Sequence, residues 1–406
     1  MDYEPHNPFG EDNYEPQKPF QTDIRKERKK KKRKQNMKKL ALVCGIIAVA
    51  AVIFFTKGIW SPYVYDILEK TQETIINDGE LAEGNFPISL GEGSTSSTFA
   101  ECDDDLVVAT DTYITFFDDN ANKINSIQHT QSNPALSVSS DMVLAYDFNG
   151  YSFSVMTKKG EVFKKTLDNV IISAKISESN YIAVITQTDK YPSYLTVYDS
   201  KGKECFKWAN GQRITSIDFN SSGDGAIVAT LEAKGGLPST TLNGISFYKT
   251  EQTFKSDEIN SLVFGVQEMS DNSIWAICQD KYVKLSSNGK TEKEYLYKSE
   301  LKSFSSNEDT LSLAFDSVSV DGTSRLILIE SDTEPVEITI NEKVKTIKTF
   351  FSHTFVLTDK TISAYNARGK SISKANVKND YVDFEYIDGN IFFMGYRDIN
   401  KIEFEY

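Results

Sequence analysis

Side chains able to do acid–base or nucleophilic chemistry are sparse in this chain of 406 residues, which has 3 histidines and 4 cysteines. Two of the histidines lie beyond residue 60. His129 precedes a polar stretch, and His353 adjoins the apolar run at residues 355–357. Neither has a metal-spaced partner or a nucleophile-elbow sequence beside it, so we predict no catalytic residue. A Ser-His-Asp arrangement assembled from distant segments is the alternative, because such triads are recognised by geometry.

Carboxylates are abundant but form no recognisable ligand set. One segment alternates acidic and amide side chains like a calcium loop: Asp118, Asp119, Asn120 and Asn122. Lys123 stands where such a loop needs glycine, and His129 stands where it needs a closing glutamate, so we predict a hairpin turn there. Asp224 lies between Gly223 and Gly225, which indicates a turn rather than one of two facing glycosidase carboxylates. We therefore predict neither a metal nor a cofactor.

The three cysteines beyond residue 60 imply no disulfide framework. Cys102, Cys205 and Cys278 are odd in number and separated by long intervals. Cys278 lies in an apolar run, where a free thiol commonly behaves as a small buried hydrophobe.

Residues 1–39 contain the motif YEPxxPF twice. The segment is rich in proline and poor in branched aliphatic residues, so we predict a disordered tail. Aromatic residues beside prolines are typical of short linear motifs, and duplication raises avidity; a duplicated solvated spacer is the alternative. The candidate residues for binding a cytoplasmic protein are Tyr3, Pro5, Pro8, Phe9, Tyr14, Pro16, Pro19 and Phe20.

Residues 40–60 predict a transmembrane helix. Residues 40–56 carry no charge and contain ten Leu, Ile, Val or Phe residues, which favours insertion by about 3 to 6 kcal/mol. Eleven basic residues before the apolar run predict a cytoplasmic N-terminus, hence a single-pass protein of the cell membrane whose C-terminal domain is extracellular. A cleaved signal peptide is disfavoured because 39 residues precede the run. Contacts with lipid headgroups are expected at Lys29, Lys30, Lys31, Lys32, Arg33 and Lys34.

Residues 61–83 predict a short stalk helix and linker. Ser61 and Pro62 suit a helix start, and Val64, Ile67, Leu68, Ile75 and Ile76 lie near one helical face. The chain beyond residue 60 has a net charge near −19, which argues against a nucleic-acid partner.

Residues 84–406 predict an all-β propeller, because short β-rich runs separated by polar turns recur about every 40 residues. A glycine returns at one place in the turn between the third and fourth strands, which indicates a left-handed backbone there. The last unit supplies three strands, and the isolated run at residues 86–90 is expected to add the fourth and close the ring. We predict eight blades, with seven as the alternative. An insertion at residues 232–243 is expected to form a projecting binding loop.

The order of five segments resembles an uncharacterised family of membrane-anchored propeller proteins from clostridial-type bacteria, known only as a domain of unknown function. The segments are FPISL, SNPALSVSSDMVLAYD, KISESNYIAVIT, YLTVYDSKGK and SIDFNSSGDGAIVATLEAKGG. The blades also resemble, more distantly, quinoprotein-type and WD40-like propellers that serve as assembly scaffolds. This resemblance implies topology and fold and brings no catalytic residue.

The sequence therefore favours a non-enzymatic interaction or envelope scaffold protein. Its propeller would bind an envelope protein or cell-wall component, and its tail would recruit a cytoplasmic protein. A surface receptor for carbohydrate or another ligand, or a hydrolase that uses a propeller face, is the alternative.

Overall fold

The computed structural model describes residues 75–77, 84–90, 98–249, 252–316, 322–331, 333–378 and 380–405. The predicted tail, the predicted membrane helix and most of the predicted stalk lie outside these ranges. Within them, no helix is long and apolar enough to cross a membrane.

The described residues form eight β-sheets arranged as the blades of a propeller. Two short strands, β1 (Ile75–Asn77) and β2 (Ile88–Ser89), precede the first full blade. Blades 1 to 4 each run from the inner to the outer strand in chain order: β3 (Thr98–Cys102), β4 (Asp105–Ala109), β5 (Tyr113–Phe117), β6 (Lys123–Gln128); β7 (Pro134–Val138), β8 (Val143–Asp147), β9 (Ser152–Thr157), β10 (Gly160–Thr166); β11 (Val170–Ile176), β12 (Ile182–Gln187), β13 (Ser193–Tyr198), β14 (Glu204–Asn210); β15 (Arg213–Phe219), β16 (Gly225–Lys234), β17 (Leu237–Ser246), β18 (Phe254–Lys255).

Blades 5 to 7 repeat this order, and blade 8 has three strands from the end of the chain. Their strands are β19 (Val263–Glu268), β20 (Ile274–Cys278), β21 (Lys281–Leu285), β22 (Thr291–Leu296); β23 (Leu301–Ser306), β24 (Thr310–Asp316), β25 (Ser324–Glu330), β26 (Val336–Ile340); β27 (Val344–Phe350), β28 (His353–Thr358), β29 (Thr361–Asn366), β30 (Ser371–Asn376); β31 (Asp383–Ile387), β32 (Asn390–Met394), β33 (Asp398–Glu403).

Strand β2 closes the ring as the fourth strand of blade 8. It pairs antiparallel with β33, with Ile88 opposite Ile399 and Ser89 opposite Asp398. The inner strand β31 contacts β3 of blade 1. The prediction of eight blades with three-plus-one closure is confirmed, and the seven-blade alternative is excluded, because residues 301–340 form a complete blade 6.

Strand β1 adds a fifth strand to blade 7. It pairs in parallel with β30, with Ile75 opposite Ser373 and Asn77 opposite Ala375. These three residues belong to the segment predicted as stalk helix and linker, and the structure shows a strand for them. Two consecutive isoleucines suit a strand, and the outer edge of β30 offers unpaired backbone groups for it.

The hydrophobic pattern explains the layering of each blade. The second strands are buried on both faces, as in β4 and β12, while outer strands such as β22 are mostly exposed. Their apolar side chains meet those of the next blade, so a hydrophobic cluster fills each seam between blades.

The repeated turn between the third and fourth strands has the left-handed glycine that the sequence predicts. Gly202, Gly289 and Gly369 have φ of 77°, 80° and 79°, and Gly160 has φ of 141°. Blade 1 has the same turn with Ala121 at the left-handed position, at φ of 62°. The amide of Ala121 donates to Asp118 O, as that of Gly202 does to Asp199 O.

The predicted binding loop at residues 232–243 is a β-hairpin instead. Strands β16 and β17 pair from Gly225 to Lys234, and the turn is Gly235-Gly236, both at positive φ. Two such glycines form the tight turn that a hairpin needs, so the insertion lengthens two strands. Because β15 pairs with β16 only as far as Leu231, the hairpin tip extends past the rest of blade 4.

Candidate functional site

The turns between the second and third strands of every blade lie at the same end of the ring, because neighbouring strands alternate in direction. We call this the BC end. Exposed large apolar side chains occur in these turns on four blades, with Leu237 the apolar tip of the blade 4 hairpin at 70% exposure. The other members are Tyr113, Phe148, Tyr151 and Tyr396.

A cleft of about 590 Å³ opens at the BC end between blades 4 and 5. One wall is the extended hairpin, and the other is formed by the segment before β19 and the turn after β20. The lining residues are Lys234, Leu237, Pro238, Ser239, Asn260, Ser261, Gln279 and Asp280.

Hydrogen bonds fix the hairpin against blade 5. Thr240 and Ile259 exchange two backbone hydrogen bonds of 2.8 Å, and the hydroxyl of Thr240 donates to Ser261 O at 2.7 Å. The hydroxyl of Ser261 donates to Asp280 Oδ1 at 2.5 Å. Lys234 forms ion pairs with Glu232 and Glu258, beside the cleft. The cleft walls are therefore held in place without a ligand.

Free polar groups face this cleft. Among the described residues, the exposed side-chain amides of Asn260 and Gln279 make no hydrogen bond. Each offers a carbonyl acceptor and two N–H donors, the combination that a peptide backbone or a sugar hydroxyl can satisfy. With Leu237 and Pro238 alongside, the cleft combines apolar area with polar specificity.

The second candidate lies on the wall of the central channel. A cavity of about 630 Å³ is bordered by the inner strands of blades 6, 7 and 8. Its residues are Ser303, Phe304, Ser305, Thr346, Ile347, Lys348, Thr349, Phe350, Val382, Asp383 and Glu385.

Lys348 is the centre of an ion cluster in this wall. Its Nζ lies 2.5 Å from Glu385 Oε1 and 3.2 Å from Asp383 Oδ2. The same ammonium lies 5.4 Å from the centre of the Phe99 ring. Burial alone would lower the pKa of Lys348, but the two carboxylates outweigh it and raise that pKa. Burial raises the pKa of Glu385 to about 7, against the opposing effect of Lys348.

Two histidines, His129 and His353, lie within the described residues. His129 is buried in the connection from β6 to β7, where Nε2 lies 2.7 Å from Thr110 O and Nδ1 accepts from the amide of Gln131 at 3.3 Å. Both ring nitrogens of His129 therefore have hydrogen-bond partners within the protein. His353 begins β28, and burial lowers its pKa.

The acidic segment at residues 118–122 is a hairpin turn, as predicted. Oδ1 of Asp118 accepts from the amides of Asn120 and Asn122, and Oδ2 accepts from the side chain of Asn122. Burial alone would raise the pKa of Asp118, but these hydrogen bonds lower it. Within the described ranges, no group of three or more His, Cys, Asp or Glu side chains has metal-binding geometry.

The cysteines outside the predicted membrane helix are free. Cys102 and Cys278 are buried, and burial raises the pKa of each to about 12. Cys205 is exposed. Asp224 accepts from Ser222 and Asn220 within its own turn, as the sequence predicts for a turn residue. The candidate tail residues at positions 3–20 and the basic residues at positions 29–34 lie outside the described residues.

No pattern in the sequence predicts the ion cluster on the channel wall. Lys348, Glu385 and Asp383 belong to no motif, and their environment depends on how blades 7 and 8 meet. The sequence predicts one wall of the cleft, because residues 232–243 are expected to form a contact region. It does not predict the other wall, which contains Asn260 and Gln279.

Residues 88–404 match the model of a family described as a family of unknown function, DUF5711. The chain belongs to this family. No curated protein matches the sequence. The membership leaves the activity open, since the DUF5711 description names none.

Solved structures agree with the fold. The structure of BamB from Moraxella catarrhalis is 13% identical, covers 77% of this chain and 99% of its own, and has a TM-score of 0.50. The structure of Sqt1 from Saccharomyces cerevisiae is 10% identical, covers 80% of this chain and 100% of its own, and has a TM-score of 0.61. At such low identity these similarities show that this DUF5711 chain shares the propeller fold and nothing further.

Proposed function

We propose that this protein is a membrane-anchored propeller outside the cytoplasm that acts as a non-enzymatic interaction or scaffold module. It would contact an envelope protein or a cell-wall component through the BC end. The observation that carries this proposal is the cleft between blades 4 and 5, with its fixed walls, free amides and exposed Leu237. Apolar area beside a few well-placed polar groups is the composition typical of a ligand-binding surface.

The binding surface can be tested by site-specific photo-crosslinking in cells. A photoreactive residue at position 237 is expected to give discrete crosslinked species. Position 351 is the matched control, because Phe351 is 74% exposed but lies in the turn after the inner strand of blade 7, at the opposite end of the ring. Equal crosslinking at both positions, or none at position 237, would contradict the assignment of the BC end.

The proposed topology has a test that uses the exposed Cys205. A membrane-impermeant maleimide applied to intact cells should label the full chain at Cys205, because this thiol is exposed. Cys102 and Cys278 are buried and should not react. Replacement of Cys205 by serine should abolish that labelling. Labelling that appears only after the cells are permeabilised would place the propeller inside and overturn the proposed topology.

We further propose that the tandem YEPxxPF tail recruits a cytoplasmic protein. Two copies would raise avidity, so replacing Phe9 and Phe20 together by alanine should weaken capture more than either change alone. Equal capture by the wild-type and double-variant tails in a quantitative pull-down would favour the solvated spacer.

A further inference from the structure

A groove of about 540 Å³ lies between blades 2 and 3, where the outer strand β10 faces the strands β13 and β14. We call it the blade 2–3 groove. Its lining is polar, with lysine, threonine and tyrosine side chains, and Leu167 is its only aliphatic side chain among the described residues. A lining of this kind suits a polar ligand rather than a hydrocarbon.

The blade 2–3 groove has more positive than negative charge. Three lysines line it, against the two carboxylates of Asp168 and Glu204. Lys207 is paired with Glu204. Lys164 donates to the hydroxyl of Thr130 at 2.9 Å and keeps two further N–H groups for other acceptors. The groove is therefore a local exception in a chain whose net charge beyond residue 60 is near −19, and it attracts anions.

Lys165 is the lysine of this groove whose charge has no carboxylate partner. Its Nζ lies 5.0 Å from the centre of the Tyr198 ring. No ion pair or hydrogen bond joins that ammonium to another described residue, and the Lys165 side chain is only partly exposed. Water therefore solvates this charge incompletely, and an anionic group in the groove would form the ion pair that the protein itself does not provide.

Tyr198 provides a second polar group without a partner. The residue is 3% exposed, and its ring packs on Phe153 with the ring centres 5.4 Å apart. Its hydroxyl makes no hydrogen bond within the described part of the chain, although the residue lines the groove. Burial is the main cause that raises the pKa of Tyr198 to about 12, so the hydroxyl stays a neutral donor. Because a buried tyrosine hydroxyl usually has a hydrogen-bond partner, a ligand oxygen is expected beside it.

The rest of the lining suits hydroxyl groups on a ligand. Thr186 donates its hydroxyl to Tyr194 O at 3.3 Å, so its oxygen can still accept. The side-chain amide of Asn169 makes no hydrogen bond to a described residue. Hydroxyl and amide groups exchange hydrogen bonds with the hydroxyls of a sugar or a polyol, which are both donors and acceptors.

We propose that the blade 2–3 groove binds the anionic group of a sugar acid or a polyol phosphate, with Lys165 as its ion partner and the Tyr198 hydroxyl as a neutral donor. Carboxylate and phosphate share the chemistry that this site recognises. One ligand anion can reach both groups, because the Lys165 ammonium lies over the ring that carries the hydroxyl. Charge-assisted hydrogen bonds are the strong ones, so the anion contributes most of the affinity. The inference is independent of the proposed contact at the BC end.

Isothermal titration calorimetry on the full chain in detergent provides the test. Two anionic probes separate the two sources: sn-glycerol 3-phosphate represents a polyol phosphate, and glucuronic acid represents a sugar acid. Glycerol and glucose are their neutral counterparts. The wild-type chain is expected to bind at least one anion at a single saturable site, more weakly as sodium chloride is added, and to bind neither neutral compound. The anion that binds more tightly identifies the source.

A lysine variant tests the ion partner. Lys165→Met removes the charge but keeps an unbranched side chain, and it should weaken binding of the anion by at least about tenfold. Lys293→Met is the matched control, because Lys293 lies 4.8 Å from the centre of the Tyr295 ring on the outer strand of blade 5 and should not affect binding.

A tyrosine variant tests the neutral donor without removing the ring. Tyr198→Phe should weaken binding by about threefold to tenfold, the effect of one hydrogen bond. Tyr381→Phe is the matched control, since Tyr381 is 2% exposed and does not line the groove. Absence of saturable binding of both anions, equal binding of a neutral counterpart, or equal effects of a groove variant and its control would refute the proposal.

Discussion

The seam between blades 7 and 8 differs in composition from the seam between blades 4 and 5. The first is aromatic: Phe355 packs against Phe350, Tyr386 and Phe404 with ring centres 5.3, 5.1 and 5.7 Å apart. The second is built mainly from aliphatic and small side chains such as Leu242, and Phe254 is its only partly buried aromatic residue within the described part of the chain.

The difference follows where the N-terminal strands attach. Blade 8 depends on the two-residue strand β2, and blade 7 receives β1 on its outer edge. Large aromatic side chains bury the most area per residue and so stabilise the seam between the two blades that receive strands from the N-terminal part of the chain. The described sheets of blades 4 and 5 contain no strand from another part of the chain, and in blade 4 the second and third strands extend into the hairpin that borders the cleft. Blades 7 and 8 thus have the more aromatic and more stabilising seam, whereas blades 4 and 5 provide the exposed cleft.

Truncation of Phe355 is expected to have the largest effect. Phe355 is fully buried among aromatic rings, so Phe355→Ala should lower the free energy of unfolding by about 3 to 5 kcal/mol. The milder Ile274→Val change in the seam of blades 4 and 5 should cost about 0.5 to 1.5 kcal/mol. Urea unfolding followed by fluorescence measures both, and similar losses would remove the proposed contrast between the seams.

The ion cluster on the channel wall should make the stability of blades 7, 8 and 1 depend on pH. The pKa of Glu385 is raised from 4.5 to about 7 in the folded protein. The folded state therefore binds more protons than the unfolded state between these values, so this contribution is complete below pH 4.5 and is lost as the pH rises through 7. The loss is on the order of 3 kcal/mol.

Comparison with Glu385→Gln isolates this contribution. The unfolding free energy of the wild type, measured between pH 5 and pH 8 relative to the variant, should decrease as the pH rises. Parallel curves for the two proteins would show that Glu385 ionises in the folded state as easily as in the unfolded chain.

The sequence repeat predicts most of the fold but little of the candidate sites. The 40-residue period, the turn glycines and the run at residues 86–90 are local signals, and each predicted a feature that the structure confirms. The meeting of Glu101 with Glu385 depends on ring closure between residues far apart in sequence, so no local pattern could predict it. At residues 232–243 the pair Gly235-Gly236 interrupts the strand pattern and so predicts a loop, but two glycines at positive φ also form the tight turn of a hairpin, as they do here.

The turns between the third and fourth strands allow a second comparison, between blade 5 and blade 1, in which the expected changes in stability are smaller. In blade 5, Gly289 has φ of 80°, and an added Cβ would lie 2.7 Å from the Phe254 ring and 2.9 Å from Ser256 Cα. Gly289→Ala should therefore cost at least about 1 to 2 kcal/mol. In blade 1, Ala121 already bears the left-handed strain, so Ala121→Gly should be neutral or stabilise by up to about 1 kcal/mol.

An alanine in ordinary strand conformation serves as the control for these turn variants. Ala233→Gly in β16, at an exposed position, should destabilise the protein by about 0.5 to 1 kcal/mol, because glycine there only adds freedom to the unfolded chain. Opposite signs for Ala121→Gly and Ala233→Gly in urea unfolding would establish that backbone conformation, rather than loss of a methyl group, decides the outcome. A loss of stability in Ala121→Gly as large as that in Ala233→Gly would mean that the blade 1 turn carries no strain. Close packing would then explain Gly202, Gly289 and Gly369 better than their φ angles do, as Gly289 packs against Phe254 in blade 5.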